Sequence, residues 1–182
     1  MRAYDTLEAT GREDLLARAR TGERAAFTEL VERHHAELVR IAFAVTGDLD
    51  AARDAAQLAW IKAWQRLPTV READRLRAWL IAIAANEARQ AVRAHRRRRV
   101  REITPVGMDE RAGQYSVTSA DGLDLHAALA RLRPDDRALL AMRYLAGLTA
   151  DEIGAATGLT GSGVRSRLAR LVARLREDLG DD

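Results

Sequence analysis

Cysteine is absent from the 182 residues. Disulfides, thiol redox chemistry and thiolate-held zinc are therefore excluded, which fits a reducing cytoplasm. Aromatic residues make up 4% of the chain and there are only three prolines, so neither aromatic-rich strands nor frequent turns are on offer. No segment reaches the roughly eighteen uninterrupted apolar residues of a membrane span, and the opening MRAYDTLEATGRED has no apolar secretion core. An excess of one charge is missing too: 30 basic residues face 27 acidic ones, a net charge of +3. With so weak an overall field, any affinity for nucleic acid must come from where the arginines sit.

Catalytic groupings are equally scarce. His34 and His35 are adjacent and cannot share one helical face, while His95 and His126 fall in different elements, so they are expected to be solvated or capping. No phosphate-binding loop and no paired nucleophile and base is visible. The expectation is a non-catalytic protein with no metal and no cofactor.

What is present is alanine, leucine and arginine, which lose little on entering a helix, and the expected fold is all-α. Thr10-Gly11-Arg12-Glu13 reads as a capping box. From about Glu23, Phe27, Leu30, Val31, Leu38, Ile41 and Val45 recur at three- and four-residue steps and predict a long helix ending near Gly47. Asp48 or Asp50 can cap the next, AARDAAQLAWIKAWQRL, which places Trp60 and Trp64 one turn apart and ends before Pro68. A third helix fits about Asp74 to His95, with Leu76, Leu80, Ile83 and Val92 inward. Trp60, Trp64 and Trp79 are expected as core anchors. These helices form one bundle, residues 10–95.

The arginines Arg96 to Arg99 and the aperiodic, small-residue-rich stretch after them predict a flexible basic linker, 96–120. A second helical block, 121–182, starts with Asp121 as a cap and continues through Leu125, Leu129 and Leu132. Pro134 opens its next helix, where a missing amide donor costs nothing, and Asp135 and Asp136 favour the same end. A capping box from Thr149 to Glu152 begins a short helix, and the last runs from about Ser162 to Leu179. The stretch LTADEIGAATGLTGSGVRSRLARLVARL thus has the layout of a helix-turn-helix, with Ile153, Leu159, Val164 and Leu168 as its small core and Gly158 relieving the turn. Arg165, Arg167 and Arg170 fall near its outer face, and Thr160 or Ser162 can cap the second helix. The same residues also suit an ordinary helical corner with a solvated arginine face.

LRPDDRALLAMRYLAGLTADEIGAATGLTGSGVRSRLARLVARLREDL resembles region 4 of the extracytoplasmic-function (ECF) group of bacterial sigma-70 factors. AFTELVERHHAELVRIAFAVTGDLDAARDAAQLAWIKAW followed by LRAWLIAIAANEARQAVRAHRRRR resembles region 2 of the same family. The resemblance implies an alternative sigma factor that binds core RNA polymerase, recognises promoter DNA through two elements, and works in the cytoplasm at the nucleoid. It implies that the last helix meets the upstream element through Arg165, Arg167 and Arg170, with Thr160, Ser162 and Ser166 beside them. Arg71, Arg75, Arg77 and Asn86 would serve the minus-ten element. Asp54, Gln57, Lys62 and Gln65, with Trp64, would lie on or support the polymerase-docking helix. Leu58-Ala59-Trp60 follows Gln57 where the family usually has an acidic residue, a small polar one and an aromatic. An anti-sigma factor is the expected regulator. Two other readings stand beside this one: a helix-turn-helix regulator that forms no productive holoenzyme, and a helical adaptor that binds only protein.

Overall fold

The computed structural model describes residues 2–101 and 120–180, with the side chains of 11–98, 125 and 127–180. The first block holds α1 (Arg2–Arg20), α2 (Arg24–Thr46), α3 (Leu49–Arg66) and α4 (Ala73–Arg101). The second holds α5 (Ala120–Arg131), α6 (Pro134–Leu140), α7 (Ala150–Thr157) and α8 (Gly161–Leu179). The architecture is all-α, two helical clusters connected by a linker.

Helix α2 is the hub. Its Leu30, Leu38, Ile41 and Val45 are buried, and it packs along α3 and α4 while α1 lies against it. Alanine lines much of α3's inner face (Ala52, Ala55, Ala56, Ala59 and Ala63), so the helices can approach closely. Gly47 ends α2 in the left-handed conformation, and Asp48 caps α3 by accepting from the Ala51 amide at 2.7 Å.

Several expectations need correction. Thr10 to Glu13 do not start a helix: α1 runs through them, and Leu15, Leu16 and Ala19 bury its following turns. Packing of that apolar face outweighs the local cost of Gly11. Arg96 to Arg99 do not break α4, which stays helical to Arg101; arginine is a good helix former, and a basic helix end suits the macrodipole. Ala120 already belongs to α5, so Asp121 lies inside the helix, and its side chain falls outside the described residues.

Trp60 is buried as expected and Trp79 half-buried, but Trp64 is 40% exposed. It meets Phe27 edge-on at a centroid distance of 4.8 Å and leaves its other side to solvent. His35 is not merely solvated, because its Nδ1 accepts from the Trp60 indole at 3.2 Å. His34 is half-buried between its helix and the start of α4.

The second block leans on the first. Helix α6 and the single π turn that continues it (Ala141–Leu145) pack against α2 and α4, and α7 packs against α4. Leu139, Leu140, Met142, Ala146 and Leu148 join the first block's buried residues in one apolar cluster. Helix α8 packs on α5, α6 and α7.

Candidate nucleic-acid interface

The α7–α8 corner is built from local rules. Thr149 caps α7: its hydroxyl accepts from the Glu152 amide at 3.2 Å, while the Glu152 carboxylate accepts from the Thr149 amide and hydroxyl, both at 2.7 Å. Those two bonds, amide first, hold the Glu152 carboxyl below its usual pKa. Gly158 takes φ 74° to close the turn. Gly154 is the less visible requirement: a Cβ there would lie 2.7 Å from the Leu159 carbonyl oxygen, so the following backbone could not pass so near. Ile153, Val164, Leu168 and Leu171 are buried beneath the corner. Leu159, expected in that core, is 38% exposed, because the turn carries its side chain away from the packed face.

Thr160 caps α8 through its hydroxyl, which accepts from the Gly163 amide at 3.1 Å and lies 3.2 Å from the Ser162 hydroxyl. Ser162, Arg165, Ser166 and Arg170 are exposed. Arg165 has only a loose approach to Asp151, at 3.7 Å, and the Arg170 Nε donates to the Ser166 carbonyl at 3.4 Å. Arg167 behaves differently. Its guanidinium turns toward α6 and meets the buried Asp136 carboxylate at 2.8 Å, from the other side of which Arg133 donates at 2.9 Å. Arg131, Arg133, Arg167, Arg170 and Arg174 line, together with Asp136, a cleft of about 300 Å³. The surplus of positive charge makes the cleft attractive to phosphate.

On the first block, Arg71 and Arg75 are exposed near the start of α4, and Arg75 pairs with Glu72 at 2.7 Å. Arg77 and Asn86 are not free. Arg77 donates to Glu37 at 2.5 and 3.1 Å and to the Ala146 carbonyl of the second block at 2.8 Å. Asn86 accepts from Arg89 at 3.0 Å and donates to Glu87 at 3.4 Å.

The α3 surface divides in the same way. Asp54, Gln57 and Gln65 are exposed, alongside the apolar Leu58, Ile61 and Trp64. Lys62 points instead at the buried Glu87, with 2.7 Å between Nζ and Oε1.

Residues that sequence reasoning missed hold the blocks together. Asp135 accepts from Arg93 at 2.7 Å on both oxygens and from Arg89 at 3.2 Å. Burial would raise the Asp135 pKa, but the Arg93 hydrogen bond, then the Arg93 and Arg89 charges, hold it below its usual value. Arg137 is buried and its Nε has no hydrogen-bond partner among the described residues; burial first, and Arg96 second, push its pKa down. The one sequence signal for Asp135 was its position after Pro134, which explains a helix start and says nothing of α4.

No group of three or more histidine or acidic side chains that could hold a metal occurs among the described residues. No helix among them is long and apolar enough to cross a membrane.

The chain matches the family described as Sigma-70 region 2 over residues 30–98, and that described as Sigma-70, region 4 over residues 122–175. It is 33% identical over 161 residues to the ECF RNA polymerase sigma factor SigL of Mycobacterium tuberculosis, a match covering 87% of this chain and 91% of SigL. It is 30% identical over 182 residues to "Probable RNA polymerase sigma factor RfaY" of Xanthomonas campestris pv. campestris, covering 96% of this chain but 45% of that protein; the chain spans less than half the length of RfaY. The sigma factor RpoE of Bartonella quintana, solved in complex with the anti-sigma factor NepR, has a TM-score of 0.68 and 25% identity, covering 86% of this chain and 98% of that one. The chain belongs to the sigma-70 family of RNA polymerase sigma factors, in its ECF group, with regions 2 and 4.

Proposed function

We propose that the chain binds core RNA polymerase and directs initiation at a restricted set of promoters, as a non-catalytic specificity subunit. The observation that carries this reading is the pairing, in one chain, of a region 2 block with a region 4 helix-turn-helix whose α8 exposes Ser162, Arg165, Ser166 and Arg170. Residues 10–95 serve polymerase and the minus-ten element, 96–120 connect, and 121–182 serve the upstream element.

Exposed arginines beside a capped helix start suit the major groove, where arginine reads guanine or clamps phosphate. Arg165 and Arg170 are the readers on this account. Thr160 shapes the helix start, and Arg167 positions α8 through Asp136 while adding charge to the cleft. Arg71 and Arg75 meet backbone near the minus-ten element, with Arg77 and Asn86 joining once their internal bonds are given up. Asp54, Gln57 and Gln65 face polymerase, and Lys62 orients α3 from behind. An anti-sigma factor is a fitting regulator, as NepR is for the RpoE to which this chain is similar. Work of this kind belongs in the cytoplasm, at the nucleoid.

Run-off transcription from genomic fragments with core polymerase, with and without the chain, tests the reading. Promoter-dependent transcripts that need the chain are expected. Specific duplex binding without holoenzyme would identify a two-domain regulator instead, and holoenzyme-free binding to protein alone an adaptor.

A further inference from the structure

Basic and acidic residues nearly balance over the chain, 30 against 27, and much of that balance is local. Arg33, Arg53 and Arg75 each pair with a carboxylate three or four residues earlier. The cleft between α8 and the junction of α5 and α6 departs from this pattern. Arg167, Arg170 and Arg174 follow one another at three- and four-residue steps along one flank of α8. Arg131 ends α5 and Arg133 stands just before Pro134, and both helices pack on α8. The buried Leu132 and Leu171 are the apolar part of the lining.

Asp136 fixes part of this set without neutralising it. Its carboxylate, 7% exposed, accepts from Arg133 on one oxygen and from Arg167 on the other. Two guanidiniums are thereby held in place, and each carries five N–H donors, more than the carboxylate takes up. Arg170 has a long bond to the Ser166 carbonyl, at 3.4 Å. Among the described residues neither it nor Arg131 or Arg174 has a carboxylate within ion-pair reach. Five arginines against one carboxylate leave the lining a surplus of four positive charges, and the spacings along α8 are those at which like charges repel.

Guanidinium is a planar fork that meets phosphate oxygens two at a time and stays charged at every physiological pH. We propose that this cleft binds a free chain of two or more linked phosphates, inorganic or the tail of a nucleotide. Charge density selects it over a DNA strand, whose phosphates each carry one charge about 3.4 Å apart along the axis; a terminal phosphate alone carries nearly two. A volume of about 300 Å³ lies at the small end of ligand sites and suits so compact a group. Arg170 is shared, because it also stands exposed beside Ser166 on the outer side of α8. A bound phosphate chain takes Arg170 from the upstream element and cancels positive charge next to it, so DNA affinity falls. That consequence rests on the function proposed above; the site itself does not.

Calorimetric titration of the full chain with tripolyphosphate at fixed salt should show saturable binding of one ligand per chain. Pyrophosphate should bind more weakly, and sulfate at equal ionic strength should not reproduce the binding. Arg131→Gln and Arg174→Gln should each weaken tripolyphosphate on the order of tenfold, the scale of one charge-assisted hydrogen bond. Arg176→Gln makes the same charge change at an exposed position of α8 outside the cleft and should leave the affinity nearly unchanged. Circular dichroism confirms folding of each variant. Equal weakening in all three, or sulfate matching tripolyphosphate, would show diffuse attraction of anions to a basic helix and overturn the site.

ATP separates the two sources: affinity equal to that of tripolyphosphate admits a nucleotide tail, and much weaker binding restricts the ligand to an inorganic chain. No tripolyphosphate binding, with weaker duplex binding in Arg131→Gln and Arg174→Gln, would make the cleft a DNA-backbone contact and overturn the proposal. Tripolyphosphate should lower the parent's affinity for the upstream duplex several-fold, and lower it less in Arg174→Gln. Duplex binding unchanged at saturating tripolyphosphate overturns the regulatory consequence. Loss of promoter-dependent transcription with core polymerase, with tripolyphosphate binding intact, would sink the sigma-factor reading and leave the site standing.

Discussion

Arg77 and Arg165 are both arginines placed by resemblance at promoter DNA, and the fold treats them in opposite ways. Arg77 is tied to a carboxylate and to a carbonyl from the other block, while Arg165 is 63% exposed with a single loose acidic neighbour. The difference extends to the helices beneath them. Helix α4 is gripped on several sides by side chains far away in sequence, whereas α8 is presented by a small core that mostly comes from its own corner. An ion-paired surface must be released before it can bind, and it can therefore be regulated. An open surface needs only to be held in shape.

The sharpest way to break the α8 side is through that small core. Ile153 is fully buried, and Ile153→Ala should cost about 2–5 kcal/mol, the range for deleting a buried branched side chain without full collapse of the site. Urea unfolding should show the loss, with upstream-duplex binding falling because the corner loosens. Retention of parental stability would mean that the corner is not held by this core.

Next in size comes a pair of arginines that resemblance alone treats as equals. Arg165→Ala should leave stability unchanged and, if Arg165 reads a base edge, cost roughly 1–3 kcal/mol on a matched duplex and much less on a scrambled one. Arg167→Ala should instead cost stability, about 1–3 kcal/mol, because the buried Asp136 then keeps, among the described residues, only Arg133 as a charged partner. Equal losses of base discrimination in the two folded variants would remove the distinction between reader and positioner.

How much of this was legible in the sequence follows the same division. Caps, the turn glycine and the periodic apolar faces act within a few residues, so Asp48, Thr149, Gly158 and the existence of α2, α3, α7 and α8 could be read directly. Asp135 and Arg93 are 42 residues apart, and Arg77 and Ala146 are 69 apart. Nothing local in either pair announces the other, since surface arginines and helix-start aspartates are common. Trp64 and Leu159 were misjudged because periodicity gives the face of a helix or turn but not whether a neighbour covers it. The same holds for Gly154, whose need for a missing Cβ appears only when the Leu159 carbonyl is in place.

A smaller effect should come from the α7 cap. Thr149→Ala removes the hydroxyl that accepts from the Glu152 amide and takes away one of the two donors to the Glu152 carboxylate, the residue 149 amide remaining, at a cost of about 1 kcal/mol. The Glu152 pKa is lowered in the fold, so its contribution is present above the unfolded value and lost as pH falls through the folded one. Acid titration of stability below about pH 4.5 should therefore be shallower in Thr149→Ala than in the parent. Identical acid limbs would mean that the capping box adds nothing to stability.

The weakest expected effect belongs to the α4 side and occupies a different pH range. His34 lines a cavity of about 230 Å³ with Leu15, Leu30, Ala73, Leu76 and Arg77, where α1 and α2 meet the start of α4. Burial is the largest influence on it and lowers its pKa. Glu37 opposes that shift, while Arg77 and Arg33 add to it. The folded chain therefore takes up the His34 proton less readily than the unfolded chain, whose histidine titrates near pH 6.5. Stability from this group is complete above that value and declines as pH falls through the lower folded pKa. The carboxylates whose pKa the fold lowers, Glu23, Asp135 and Glu152, titrate below this window. Thermal unfolding followed between about pH 8 and about pH 5 should thus show a loss that His34→Gln flattens. An unaltered slope in the variant would place the acid sensitivity elsewhere and remove His34 from the account of how α4 is held.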